Sequence, residues 1–133
     1  MINKIANEIH KKGWGEENWL VNNEFFCAKE LIFYKAGSKC SLHFHKLKKE
    51  YFKCISGAFK IIGIDMLNGA KYLLNLNVNE GVMIENFEPH QMIALEDNSI
   101  ILEVSTQHFE QDSFRLEPGD SQLSDNYIYD GQR

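Results

Sequence analysis

Apolar residues recur along most of this chain either at every second position or in short runs, and turn-forming residues interrupt them every few positions. This pattern predicts strands near 39–45, 50–56, 58–65, 71–77, 82–86, 90–95 and 99–105, separated by AGS, SG, LNG, NEG, FEP and EDNS. Upstream, NWLVNN and FFCAKELIFY are rich in β-formers, with Asn22, Asn23 and Glu24 as the turn between them. One stretch has a different period. Ile2, Ile5, Ala6 and Ile9 recur at helical spacing, and Gly13 follows the basic His10–Lys12 segment, so residues 1–13 predict a short amphipathic N-terminal helix. Many short strands at this spacing predict an all-β sandwich or barrel of the jelly-roll type. After Leu116 the pattern dissolves into polar residues around Pro118, Gly119 and Asp120. Residues 117–133 are therefore expected to form a polar tail, or an arm lying on a neighbouring molecule.

No composition shift or linker divides the 133 residues, which predicts one domain over 1–133 with enough chain to bury a core. The composition is 44% hydrophobic and 25% charged, and the net charge of −5 argues against nucleic acid as a partner. Cys27, Cys40 and Cys54 are odd in number and scattered over expected strands, unlike a disulfide framework, so a reduced, cytoplasmic setting is expected. Asn3, Lys4, Asn7 and Glu8 interrupt the first residues, leaving no apolar run of signal-peptide or membrane-spanning length there. No membrane partner is expected.

The chemistry concentrates between Gly37 and Gly57, in GSKCSLHFHKLKKEYFKCISG. His43 and His45 stand two apart on a strand-like run, so both side chains leave the same face and can converge on one ion. If the chain reverses through Lys46–Lys49 as a hairpin, Glu50 opens the next strand and its carboxylate returns beside the two imidazoles. A fourth ligand is expected downstream at a strand start, where His90 follows Pro89 in FEPHQMIAL. Three imidazoles and one carboxylate suit one divalent transition metal, Mn, Fe, Co, Ni or Zn, and affinity order does not choose among these. Four protein ligands leave an octahedral ion two adjacent positions for substrate or water.

The spacing of Gly37, His43, His45, Glu50 and Gly57 resembles the first motif of the cupin superfamily at every defined position, and His90 matches part of the second. The resemblance implies a double-stranded β-helix, the jelly-roll barrel of the cupins, with the metal held by His43, His45, Glu50 and His90. A second likeness extends from Trp14 to about Asp120. Trp14-Gly15, Lys29, Ser41-Leu42 with His45, Glu50, and Asp112 with Arg115 resemble, in that order, the C-terminal domain of type II mannose-6-phosphate isomerases and the small cupins of sugar-nucleotide loci. It implies a carbohydrate substrate. Lys12 and Gly13 stand where that family has arginine and proline, and His43 replaces its usual glutamine.

A sugar phosphate calls for cations to hold the anion and a base to move a proton beside a polarised carbonyl. Arg115 offers a bidentate fork and Lys48 a point charge for substrate binding, with Lys29 as a further cation at the catalytic centre. Glu103 is the candidate base, because ILEVST sets one carboxylate in an apolar run where burial would raise its pKa, although alternation does not say which way it faces. His10, near the end of the expected helix, is read as structural, and His108, after STQ at the end of a strand, could approach the barrel mouth but is not counted in the site. Cys54 shares parity with Glu50 and Phe52 and is expected inside. These residues are consistent with an isomerase or epimerase acting on a sugar phosphate, with an Fe-dependent dioxygenase, or with a non-catalytic metal- or sugar-binding module. A homodimer is expected, paired through sheet edges with the helix and polar arm crossing over.

Overall fold

Strands form at each of the stretches expected between residues 39 and 105. A computed structural model describes residues 1–123. In chain order the elements are β1 (Glu8–Lys12), β2 (Gly15–Asn22), β3 (Cys27–Phe33), β4 (Leu42–Phe44), β5 (Glu50–Ser56), β6 (Ala58–Ile64), β7 (Lys71–Asn77), β8 (Gly81–Ile84), β9 (His90–Ala94), β10 (Ser99–Ser105), β11 (Phe114–Glu117) and a single helical turn, α1 (Asp120–Leu123). They build two facing antiparallel sheets, one ordered β1-β2-β3-β10-β5-β8 and the other β11-β4-β9-β6-β7. Among the described residues no helix is long and apolar enough to cross a membrane. Cys27, Cys40 and Cys54 are free and buried.

Alternation along the strands divides the space between the sheets into two halves. Leu31 and Phe33 of β3, Cys54 of β5, Phe59 and Ile61 of β6, Leu76 of β7 and Ile101 of β10 fill one half as an apolar core. The same inward parity on the same strands then meets Lys29, Glu50 and Glu103, all buried, in the other half. Each side chain in this second half is fixed by an element whose remaining residues are held in the core, which gives a polar site a rigid frame. Gly57 lets β5 turn into β6: its φ is +74°, and a Cβ there would lie 2.1 Å from Ser99 Oγ.

The helix expected over residues 1–13 does not form. Glu8–Lys12 instead pairs as β1 with β2, from Glu8 opposite Trp19 to Lys12 opposite Gly15. Ile2, Ile5 and Ile9 all remain exposed. A short helical stripe is marginal on its own, and its propensity is overridden here by the ladder that β2 offers. His10 thereby stacks on Trp19, with ring centroids 4.2 Å apart. The tail also departs from expectation where it is described. Asp120 and Lys39 exchange bonds, Lys39 N–H donating to Asp120 Oδ2 at 2.8 Å and Asp120 N–H to Lys39 O at 2.9 Å, while Gly13 N–H donates to Ser121 Oγ at 3.0 Å. Residues 117–123 thus fold onto their own chain, first as the end of β11 and then as α1. The rest of the expected arm, 124–133, lies outside the described residues.

Candidate metal centre

His43 of β4 stands directly opposite His90 of β9 and directly opposite Arg115 of β11, so three chemistry-bearing residues form one row across the sheet. His45 follows at the end of β4. Glu50 arrives from the facing sheet, because β5 pairs with β10 and β8, whereas β4 pairs with β9 and β11. The hairpin expected through Lys46–Lys49 is therefore a crossover between sheets. Glu50 comes back beside the imidazoles across the sandwich, with Oε1 3.1 Å from His90 Nε2 and 3.4 Å from His45 Nε2.

Each imidazole is oriented through its other nitrogen. His45 Nδ1 lies 2.6 Å from Asp112 O, His90 Nδ1 2.9 Å from Glu88 O, and His43 Nδ1 2.9 Å from Ser41 O. A carbonyl only accepts, so each Nδ1 carries the proton and each Nε2 is left with its lone pair. One ligating atom from each of His43, His45 and His90 can be chosen so that all lie within 4.8 Å of one another. A hydrogen bond at the other ring nitrogen is how proteins hold metal-binding imidazoles in one tautomer. Glu50 Oε1 and His90 Nε2 are buried and, although close, are not aligned as donor and acceptor, so neither has a hydrogen-bond partner among the described residues. Orphaned atoms that share a buried focus with two further imidazoles fit a divalent cation.

The charges around this focus are balanced in pairs. Burial pushes Glu50 up, but the Lys48 ammonium and then His90 outweigh it and hold the carboxyl well below its usual range. Burial lowers His90, yet Glu50 more than restores it, whereas burial together with His90 and His45 keeps His43 well below the imidazole range and burial also lowers His45. Lys48 is itself buried. Its Nζ lies 2.7 Å from Glu103 Oε2, 3.5 Å from Glu50 Oε2 and 3.2 Å from His108 Nδ1. Burial works against its charge, but Glu103 and Glu50 prevail and raise its pKa above the lysine range. Glu103 therefore faces inward, with Oε2 also accepting from Ser105 Oγ at 2.9 Å.

A cavity of about 620 Å³ between the sheets brings together His43, His45, Glu50, Lys48, Glu103, Lys29 and Arg115. His90 is not among the lining residues, but its Nε2 lies 3.1 Å from Oε1 of Glu50, which is. Lys29 Nζ sits 4.2 Å from the Trp19 ring centroid and 3.4 Å from Glu17 Oε1, and Arg115 has a buried Nε without a hydrogen-bond partner among the described residues. Sequence reasoning missed Glu17, Trp19 and His108, which also line the cavity. Burial pushes Glu17 up, but Lys29 and Lys12 outweigh it and bring the carboxyl to about 2. Burial and then Lys29 and Lys48 lower His108 to about 3. The signal for Glu17 and Trp19 was their shared parity on β2, with Trp19 opposite Lys29. His108 lies in a loop, where periodicity carries no signal.

Asp112 acts from behind the site. Its Oδ1 accepts from Lys46 N–H at 2.8 Å and Leu47 N–H at 3.1 Å, and its Oδ2 from Lys48 N–H at 3.2 Å, while its carbonyl orients His45. One carboxylate thus shapes the turn that delivers Lys48 and Glu50. Changing Asp112 to Ala strands these N–H groups, and the expected loss is about 2–4 kcal/mol, the cost of charge-assisted bonds to a buried acceptor. Urea unfolding checks it, and a loss under about 0.5 kcal/mol would show that the turn holds without the carboxylate.

A family model described as FdtA: WxcM-like, C-terminal matches residues 17–119. No curated protein matches the sequence. Among solved structures, oxalate decarboxylase from Bacillus subtilis is similar at a TM-score of 0.73 and 18% identity, over 86% of this chain and 33% of that one. A further structure, concerned with the Mn(II) centres of the same decarboxylase, gives 0.72 and 18%, over 86% and 34%. The capsular polysaccharide assembling protein CapF from Staphylococcus aureus gives 0.73 and 18%, over 86% and 35%. This chain spans about a third of the length of each. Identities this low speak to the fold, which is the cupin double-stranded β-helix.

Proposed function

Because this chain belongs to the FdtA family, WxcM-like, C-terminal, we propose that it is a metal-dependent isomerase or epimerase acting on a sugar phosphate or a related carbohydrate. The observation that carries this reading is the set of imidazoles locked at Nδ1 by backbone carbonyls and offering one ligating atom each within 4.8 Å of the others, with Glu50 beside His45 and His90, next to a cavity large enough for a sugar. His43, His45, His90 and Glu50 would hold one divalent transition metal, and the Mn(II) centres of the decarboxylase of the same fold give the idea a precedent. When bound, such an ion supplies Lewis-acid polarisation of a substrate carbonyl or hydroxyl.

The remaining roles belong to the chain's own side chains. Arg115, in the row of His43 and His90, holds an anionic group of the substrate by its planar fork. Lys29, braced by Glu17 and the Trp19 face, places a second cation in the cavity. In an isomerisation Glu103 would take the proton from the carbinol carbon next to the substrate carbonyl and return it to the former carbonyl carbon, while the carbinol hydroxyl proton passes to the carbonyl oxygen, so that hydroxyl and carbonyl exchange places. Lys48 keeps Glu103 and Glu50 apart as charges, and adds to the attraction for a substrate anion.

Arg115→Lys tests the substrate class. The substitution keeps the charge and loses the fork, so binding of sugar phosphates should weaken by about 1–3 kcal/mol while a neutral sugar and the metal content are unaffected. Calorimetric titration measures all of these. If no sugar phosphate binds the unmutated protein, the carbohydrate reading falls, and oxygen uptake by the iron-loaded protein then separates an oxygenase from a binding module.

A further inference from the structure

Of the four imidazoles in or beside the cavity, one carries its proton on the opposite nitrogen. His43, His45 and His90 each set Nδ1 against a backbone carbonyl, which leaves Nε2 with its lone pair. His108 instead sets Nδ1 3.2 Å from Lys48 Nζ. The Lys48 ammonium, held between Glu103 and Glu50, has protons to give and no lone pair to offer, so Nδ1 accepts and the ring proton sits on Nε2. His108 therefore presents an N–H to the cavity it lines, where the other three present a lone pair. That Nε2–H makes no hydrogen bond among the described residues. Glu110 Oε1 stands 3.6 Å away, beyond bonding reach, on a side chain that is 75% exposed. Burial, then Lys29 and Lys48, keep the ring neutral, with its pKa at about 3.

The segment between β10 and β11 that carries His108 is tied down along its length. Thr106 N–H donates to Lys49 O and Lys49 N–H to Thr106 Oγ1, both at 3.1 Å. Asn22, at the end of β2, clamps the His108 backbone from both sides: its Oδ1 accepts from His108 N–H at 2.9 Å and its Nδ2 donates to His108 O at 3.1 Å. The ring itself packs edge-on against Trp19, with centroids 5.1 Å apart and planes at 69°. A donor fixed this firmly needs no reorganisation to meet a ligand.

We propose that His108 is a substrate-binding residue whose Nε2–H donates a hydrogen bond to an oxygen of the bound sugar. The inference rests on the carbohydrate reading above and adds a contact to it. Lys48 Nζ touches both His108 Nδ1 and Glu103 Oε2, so the donor and the base share one end of the cavity. In the isomerisation the carbonyl oxygen gathers negative charge as Glu103 removes the neighbouring proton. A fixed N–H aimed at that oxygen binds it more strongly as the charge grows.

The test joins imidazole NMR to ligand titration of the full chain, metal-free and zinc-loaded. Without ligand, long-range proton–nitrogen correlations at neutral pH should show His108 in its Nε2–H form. Fructose 6-phosphate or mannose 6-phosphate should then shift its Nε2 signal. His108→Phe keeps a ring against Trp19 but loses the donor, so affinity for these ligands should fall about tenfold, and His108→Gln, which restores an N–H, should recover most of the loss. Zinc uptake should be the same in both variants. An Nδ1–H or doubly protonated His108 at neutral pH overturns the proposal. So does a sugar phosphate that binds the unmutated protein without moving the Nε2 signal, or that binds His108→Phe equally well. If neither sugar phosphate binds the unmutated protein, the carbohydrate reading falls and takes the proposal with it, whatever form the ring has. Circular dichroism confirms folding, and the signals of the unmutated protein keep the test decisive if His108→Phe fails to fold.

Discussion

Replacing Lys48 with methionine should destabilise the fold by about 3–5 kcal/mol at neutral pH, the range for breaking a buried charge cluster from one side. The ammonium is shared by Glu103 Oε2 at 2.7 Å and Glu50 Oε2 at 3.5 Å, and all three side chains are buried. Methionine fills a similar volume but leaves two carboxylates with no cation between them, and one must take up a proton or draw in water. The double variant Lys48→Met with Glu103→Leu removes one of the stranded charges together with the cation. It should recover a large part of the loss, so that the effects of the single changes do not add. Urea unfolding of the single and double variants measures this, and strict additivity would show that Lys48 and Glu103 are energetically independent despite their contact.

The second large effect is on metal binding. His43→Ala with His45→Ala removes two of the three gathered imidazoles while leaving β4 paired with β9 and β11, so the protein should fold but bind no stoichiometric divalent metal. At a metal concentration about 100-fold above its dissociation constant, binding stabilises the unmutated protein by about 2.7 kcal/mol, or roughly 10 °C in melting temperature. The double variant should show no such shift with Mn, Fe, Co, Ni or Zn. A full shift would place the metal elsewhere.

How far the site could be read from the sequence depended on whether the deciding information was local. His43, His45 and Glu50 were visible because strand parity and a turn are local properties. So was the inward direction of Cys54, which follows from its parity with Glu50 and Phe52. The partner of each strand was not visible: β4 and β5 are consecutive, yet lie in different sheets, and only the jelly-roll crossover brings Glu50 across to His90. Glu103 sits at an inward position between Lys29 and Phe52, but nothing in ILEVST distinguishes its two faces, because the outward residues of β10 are apolar as well. That ambiguity has a physical source in the apolar outward residues of β10, Ile100, Leu102 and Val104. The N-terminal segment failed for a related reason. The helical spacing of Ile2, Ile5, Ala6 and Ile9 is real, but whether a stripe is buried is decided by tertiary structure, and here Ile2, Ile5 and Ile9 stay exposed while Glu8–Lys12 pairs with β2. Lys48, His108 and Asp112 meet through loops, where no period constrains direction, so the sequence could name Lys48 as a point charge for substrate binding but not as the cation that sits among Glu50, Glu103 and His108.

The central claim is that one divalent ion sits among His43, His45, His90 and Glu50, and X-ray absorption spectroscopy of the metal-loaded, unmutated protein tests it most directly. The account predicts one ion per chain, with a first shell of nitrogen and oxygen at about 2.0–2.3 Å and the outer-shell scattering of imidazole rings that disappears in the double histidine variant. An ion coordinated by oxygen alone, or a protein that takes up no stoichiometric metal under any loading condition, would contradict it.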